Sequence, residues 1–316
     1  MDQAICCVCH KPVGDDAPRL GGRAYCTEHY AKVTRDRGSV WRSGVLTIVA
    51  VVIFAAVVAP IVGLTKPTME GTVLVLAGVV LALVPAVLWL VFFYLQDRLE
   101  PEPKPVVIGI SVLGALFASA VGIPVVRDVF RVQDWLDYGP LFNLLGSILV
   151  IGFVQEFVKY SVVRYSVYLL PEFDERMDGI LYGTAAGLGY ATMLNIHYVV
   201  DSGGVSLGIG VIRIVVTALA QASFAGITGY FLGRSKFEEE PVWWLPLGLT
   251  IAAVLNGLFT VVLGEVTRTG SVLAGRTLTP WYGLVLATIV AALTLAVLLY
   301  LIRRANRITL TGGQGA

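Results

Sequence analysis

The stretch GFVQEFVKYSVV, residues 152–163, sets Gln155, Glu156 and Lys159 close together inside a segment otherwise apolar enough to span a membrane. An ionisable side chain at the bilayer centre costs about 2.5–3.5 kcal/mol on insertion scales, so an intramembrane glutamate marks a functional site by default. Glu156 can act as a general base toward water, and Lys159, three residues on, can pair with it. Three later apolar segments each carry one amide at the centre: Asn195, Gln221 and Asn256. Counted from the segment ends at about 1.5 Å per residue, Glu156 and these amides fall within about two helical turns of one depth if successive segments are antiparallel. Amides cannot serve as a base and are poor zinc ligands, but they donate hydrogen bonds to a developing oxyanion. His197 lies two residues from Asn195 and points about 200° round the helix from it. The same side chains also serve as interhelical glue, at about 0.6–2 kcal/mol per amide, with Glu156 and Lys159 neutralising each other. Residue types alone favour that packing role.

A second cluster lies at the N-terminus. All four cysteines, Cys6, Cys7, Cys9 and Cys26, fall in the first 26 residues, where Cys6-x2-Cys9 and Cys26-x2-His29 are separated by sixteen residues. Two such pairs supply the four ligands of a closed tetrahedral zinc site, with Gly21 and Gly22 suited to a hairpin between them and Cys7 and His10 as spare ligands. Residues 4–32 resemble one finger of a LIM domain or a short zinc ribbon. A module this small has too little core to fold unaided, so zinc supplies most of its folding free energy. A closed site has no open coordination position, which implies a structural role or docking of a cytoplasmic protein.

The elements that must position these groups follow from composition. The 316-residue chain is 56% hydrophobic and 14% charged, with a net charge of +1, which fits an integral membrane protein and gives no reason to expect nucleic-acid binding. Segments long enough to cross the roughly 30 Å hydrocarbon core recur about eight times. They are placed at 45–64, 72–95, 105–125, 141–168, 179–200, 208–233, 243–266 and 281–302, the sixth with room for an interfacial turn around Ser206–Arg213. The expected organisation is a finger at 1–32, a basic linker at 33–44, an all-α polytopic transmembrane domain at 45–302 and a tail at 303–316. Lys and Arg concentrate before the first segment, after the last and in the even-numbered connections, which puts both termini in the cytoplasm. The polar N-terminal residues lack the apolar core of a cleaved signal peptide. Trp89, Phe92, Phe93 and Tyr94, and later Trp243, Trp244 and Trp281, read as interfacial aromatics. Gly183, Gly187 and Gly189, and later Gly226, Gly229 and Gly233, form small-residue faces for close helix approach.

The stretches YLQDRLEPEPKP (94–105), QEFVK (155–159), MDGILYGTAAGLGYATMLN (177–195), AQASFAGITGY (220–230) and LNGLFT (255–260) resemble, in order, the PrsW family of intramembrane proteases, over about residues 72–265. The resemblance implies a bundle of about eight spans whose polar centre cleaves a peptide bond of a membrane-anchored protein. It carries Glu156, Lys159, Asn195 and the structural motif residues Asp97, Glu100, Glu102 and Asp178. This chain departs from the family pattern where Gln155 and Leu194 replace glutamates and Gln221 replaces a histidine. A His-to-Asn pair is likewise replaced by Asn256 and Thr260. Two readings follow: a glutamate-dependent intramembrane protease with Glu156 as base, aided by Gln155, Asn195, Gln221 or Asn256, or by His197 from another helix face; or a catalytically degenerate relative that binds membrane segments or partners. A transporter using the polar layer is a third.

Overall fold

Hydrocarbon offers no partner to a peptide group, so a chain crosses it as helices that satisfy their own backbone, and the long apolar segments here do so. The computed structural model describes residues 4–9, 11–20, 23–34, 40–65, 71–97, 99–201, 207–267 and 280–310. The N-terminal finger contains β1 (Arg19–Leu20) and β2 (Arg23–Ala24), paired antiparallel with Leu20 opposite Arg23, and then α1 (Thr27–Thr34). The hairpin glycines Gly21 and Gly22, and His10, lie outside the described residues.

The remaining helices are α2 (Val40–Thr65), α3 (Gly71–Tyr94), α4 (Lys104–Phe117), α5 (Val132–Trp135), α6 (Pro140–Gly146), α7 (Phe153–Ser166), α8 (Arg176–Asp201), α9 (Leu207–Phe237), α10 (Trp244–Thr267) and α11 (Pro280–Leu310). Two π-helical turns, Ala118–Gly122 and Val125–Val129, prolong α4, and a third, Ser147–Gly152, joins α6 to α7. Eight long helical runs result among the described residues, one for each expected span. Six of them are long and apolar enough to cross a membrane. The others are α2, whose described apolar stretch is Ser43–Val58, and α8.

Helix α8 is less apolar because protein surrounds it: every residue from Met177 to Thr192 is buried, and α3, α4, α7 and α9 pack around it. Backbone meets backbone there. A Cβ at Gly229 would lie 1.9 Å from the Gly179 carbonyl oxygen, and one at Gly183 would lie 2.5 Å from that of Ala225. Gly183, Gly187, Gly229 and Gly233 thus form the α8–α9 contact, where dispersion replaces a hydrophobic driving force that lipid does not supply, while Gly189 meets the Ser111 carbonyl on α4.

Two expectations need correction. Trp89, Phe92 and Phe93 are 3%, 1% and 0% exposed and pack edge-to-face inside the bundle, so they are core residues and not an interfacial belt. They share one core cluster with Val51 of α2, Ile180 and Leu181 of α8 and Val215 of α9. Helix α9 is also continuous from Leu207, so no interfacial turn occupies 207–213; its apolar face continues across that stretch through Val211 and Ile214, both fully buried.

Candidate functional site

The π-helical turn Ser147–Gly152 ends one residue before Phe153 starts α7, which carries Gln155, Glu156 and Lys159. A π turn inserts an extra residue and re-aims the side chains that follow, a device frequent at functional sites. Small residues let α10 press against this turn: a Cβ at Gly152 would lie 2.2 Å from the Ala253 carbonyl oxygen, and one at Gly257 2.5 Å from Ile148 Cα. That close approach puts Asn256, next to Gly257, beside Glu156.

Glu156 is fully buried, Lys159 is 1% exposed and Asn256 0%. Lys159 Nζ donates to Glu156 Oε1 at 2.5 Å and to Gln221 Oε1 at 2.7 Å. Asn256 Nδ2 donates to Glu156 Oε1 at 2.7 Å and to Gln155 Oε1 at 3.1 Å. Gln221 Nε2 donates to Asn256 Oδ1 at 3.1 Å and to Gln155 Oε1 at 3.2 Å. Three helices, α7, α9 and α10, thereby contribute to one polar network. Glu156 Oε2 alone among the carboxylate's oxygens has no partner among the described residues. Lys159 Nζ also sits 5.5 Å from the centre of the Tyr190 ring, a cation–π contact from α8.

A cavity of about 180 Å³ adjoins the network, lined by Gln155, Gln221, Asn195, Arg213, Thr217 and Thr260 among others. Asn195 reaches it but stands apart from the network, its Nδ2 donating to the Ile214 carbonyl at 3.0 Å. His197 is half-buried and belongs to neither the network nor the cavity wall. Arg213 and Thr217 went unnoticed in the sequence. Their signal is the i, i+4, i+8 spacing of Arg213, Thr217 and Gln221, which aligns them on one face of α9.

The motif residues gather at the opposite end of α8 from His197, under the finger. Arg23 on β2 forms ion pairs with Glu100 and, at 2.6 Å, with Glu175, and its Nη2 donates to the Asp174 carbonyl at 2.8 Å. Tyr25 donates to the Leu99 carbonyl at 3.3 Å. Asp97 Oδ2 accepts the Glu102 N–H, and Tyr182 donates to Glu102 Oε2 at 2.6 Å. Asp178 Oδ2 accepts the N–H groups of Asp174 and Glu175. Burial, opposed by Arg23, pushes the Glu100 carboxyl up to about 8 and that of Glu175 to about 7. Burial, opposed by the Tyr182 hydroxyl, pushes Glu102 to about 7.

The model of the PrsW family of intramembrane metalloproteases matches residues 102–295. The chain belongs to the PrsW family. Protease PrsW of Halalkalibacterium halodurans is 32% identical over 183 residues, 58% of this chain and 81% of the relative. Protease PrsW of Bacillus subtilis is 30% identical over 181 residues, 57% of this chain and 79% of the relative. That of Geobacillus kaustophilus is 29% identical over 199 residues, 63% and 84% respectively. No solved structure matches.

The PrsW description includes a metal, and the membrane network of this chain does not fit one. Its donors are one carboxylate, three amides and an ammonium, and the ammonium lies 2.5 Å from the sole anionic oxygen engaged. A divalent ion at that carboxylate would face a fixed positive charge with no imidazole or second carboxylate to hold it. The finger, outside the PrsW match, has a suitable donor set. Cys6, Cys9, Cys26 and His29 offer ligand atoms all within 4.8 Å of one another, with Cys26 Sγ 3.1 Å and Cys6 Sγ 3.7 Å from His29 Nδ1. Those spacings approach the roughly 3.5–3.8 Å edges of a tetrahedron built on Zn–S and Zn–N bonds. Burial pushes the Cys6 thiol up, but backbone N–H groups of Cys26, Cys9 and Val8 outweigh it and bring the group down to about 6. Cys7 lies outside the set, and burial raises it to about 12.

Proposed function

We propose that this PrsW-family protein hydrolyses a peptide bond of a membrane-anchored protein, with Glu156 as the base. The observation that carries the reading is the asymmetry of its carboxylate: Oε1 is fixed by Lys159 and Asn256, whereas Oε2 has no donor among the described residues and can take a proton. In the reaction a water proton passes to Glu156 Oε2 while the water oxygen bonds to the scissile carbonyl carbon. The negative charge that develops on the carbonyl oxygen would be met by Gln155 Nε2 at the cavity wall, which no hydrogen bond among the described residues engages, because both N–H groups of Gln221 and of Asn256 are spent within the network; a well-aimed donor is worth about 10²–10³ in rate. Glu156 then returns the proton to the departing amine as the C–N bond breaks. Lys159 holds Oε1 of the carboxylate in place, and Gln155 holds both amides in orientation through its own Oε1. The cavity beside Gln155 and Gln221 is where substrate backbone would lie, with Arg213 and Thr217 as further donors.

In the same reading the finger holds zinc through Cys6, Cys9, Cys26 and His29, and both termini face the cytoplasm. The organisation is a finger at 1–32 and a membrane domain at 45–302.

The decisive experiment is cleavage of membrane-anchored model proteins by the purified protein in liposomes. Wild type should cleave, and Glu156→Gln should lose at least about 100-fold. Absence of wild-type cleavage, with activity appearing only when Gln155→Glu and Gln221→His are combined, would instead identify a binding scaffold on a retained fold.

A further inference from the structure

The acidic cluster under the finger carries more charge than its neighbours cancel. Asp97, Glu100, Glu102, Asp174, Glu175 and Asp178 lie together, and Arg23 serves Glu100 and Glu175, with Asp174 Oδ1 3.6 Å from its Nη2. Arg176 is engaged by Glu238, and Lys236 Nζ donates to the carbonyls of Tyr168 and Phe173, both at 2.6 Å. Glu102, Asp174 and Asp178 are left offering oxygens that all lie within 4.8 Å of one another.

Besides Glu175 Oε2, two buried oxygens of the cluster lack a donor among the described residues, and they point to what completes the group. Asp178 is 0% exposed, and with Oδ2 taken by two backbone N–H groups, its Oδ1 has no donor among the described residues. Asp97, 4% exposed, likewise has Oδ1 without a donor. A buried carboxylate oxygen is costly unless it is paired or coordinates a metal. Asp178 offers its carboxylate to the same cluster as Glu102 and Asp174, with one oxygen of each within 4.8 Å of the others, so the incompletely partnered side chain faces two further oxygen ligands. A cavity of about 220 Å³ lined by Glu100, Glu102, Asp174 and the finger's Cys7 and Val8 gives a small ion a way in.

We propose that Glu102, Asp174 and Asp178 form a binding site for a hard divalent cation, Ca²⁺, Mg²⁺ or Mn²⁺, at the junction of finger and bundle. The donors are oxygen throughout, which selects such ions over the soft metals that suit the cysteine set. The rest of the motif braces the ligands: Asp97 accepts the Glu102 N–H and Tyr182 donates to Glu102 Oε2. Asp178 in turn holds the backbone of Asp174. Arg23 and the cation share one anionic field, so finger docking and cation binding are coupled, each lowering the charge the other meets. The site is independent of the hydrolytic reading.

Electron paramagnetic resonance of Mn²⁺ titrated into the purified, zinc-loaded full-length protein in detergent tests this. One Mn²⁺ should bind saturably per chain and be displaced by Ca²⁺ or Mg²⁺. Glu102→Gln and the exposed Asp174→Asn should each weaken binding at least tenfold, and both should melt like wild type without Mn²⁺. Arg23→Gln should tighten binding severalfold. Lack of saturable binding up to about 1 mM, the weak end for biological Ca²⁺ modules, would overturn the proposal. So would Mn²⁺ binding that Glu156→Gln abolishes and the Glu102 and Asp174 variants leave intact.

Discussion

The two acidic regions of this molecule manage buried charge in opposite ways. In the membrane, a single carboxylate is matched by a single ammonium, and three amides complete the network, leaving Glu156 Oε2 as its one carboxylate oxygen without a donor among the described residues. Under the finger, six carboxylates crowd together with one guanidinium in ion-pair contact, and Asp97 Oδ1, Asp178 Oδ1 and Glu175 Oε2 are left without donors among the described residues. The difference teaches where each region can draw compensation. A group enclosed by lipid-embedded helices must be neutralised by its own neighbours, whereas a group at the rim of the bundle can be neutralised by an ion or a docking module. Closure at the centre and openness at the rim are therefore two answers to one desolvation cost.

The comparison breaks most sharply if the central pair is dispensable. Glu156→Gln should reduce cleavage at least about 100-fold and, because it strands the buried Lys159 ammonium, should also destabilise the detergent-solubilised protein by about 3–5 kcal/mol. Lys159→Met likewise strands a buried carboxylate and should cost a similar amount. The double variant Glu156→Gln, Lys159→Met should recover most of that loss, and thermal unfolding of the three proteins measures it. Gly229→Ala offers a yardstick free of charge effects. Its new methyl would meet the Gly179 carbonyl, and forcing α8 and α9 apart should cost about 1–3 kcal/mol in the same assay. The smallest effect is expected at the rim, where Arg23 is 23% exposed and shares its charge among several partners. Arg23→Gln should cost about 1 kcal/mol or less, read as increased protease sensitivity of the finger with unchanged melting of the bundle. A loss as large as that of Lys159→Met would show that the rim is closed like the centre.

Most of the architecture was legible because apolar length is a strong signal: eight spans were expected and eight long helical runs are present. The depth comparison of Glu156, Gln221 and Asn256 was legible for a related reason, since helical rise converts sequence distance into height. Asn195 shares the level by that count yet bonds to the Ile214 carbonyl, because rise fixes height and leaves azimuth open. The aromatic run Trp89–Phe93 misled because interfacial and core aromatics have the same composition, and only neighbours distinguish them. The acidic rim was legible as a motif but not as a cluster. Its members come from separate connections, 97–102 and 174–178, and from a finger whose placement no periodicity encodes. Arg213 and Thr217 could have been found from their spacing with Gln221.

The burial of α8 has a consequence for how the chain is made. A helix with Asp178, Asn195 and a succession of glycines gains little by entering lipid alone, and its compensation comes from α9, which follows it in synthesis. Helices α8 and α9 should therefore enter the bilayer together as a hairpin. A nascent chain arrested after residue 201 should leave α8 accessible to aqueous labelling reagents, and one extended through residue 237 should withdraw it.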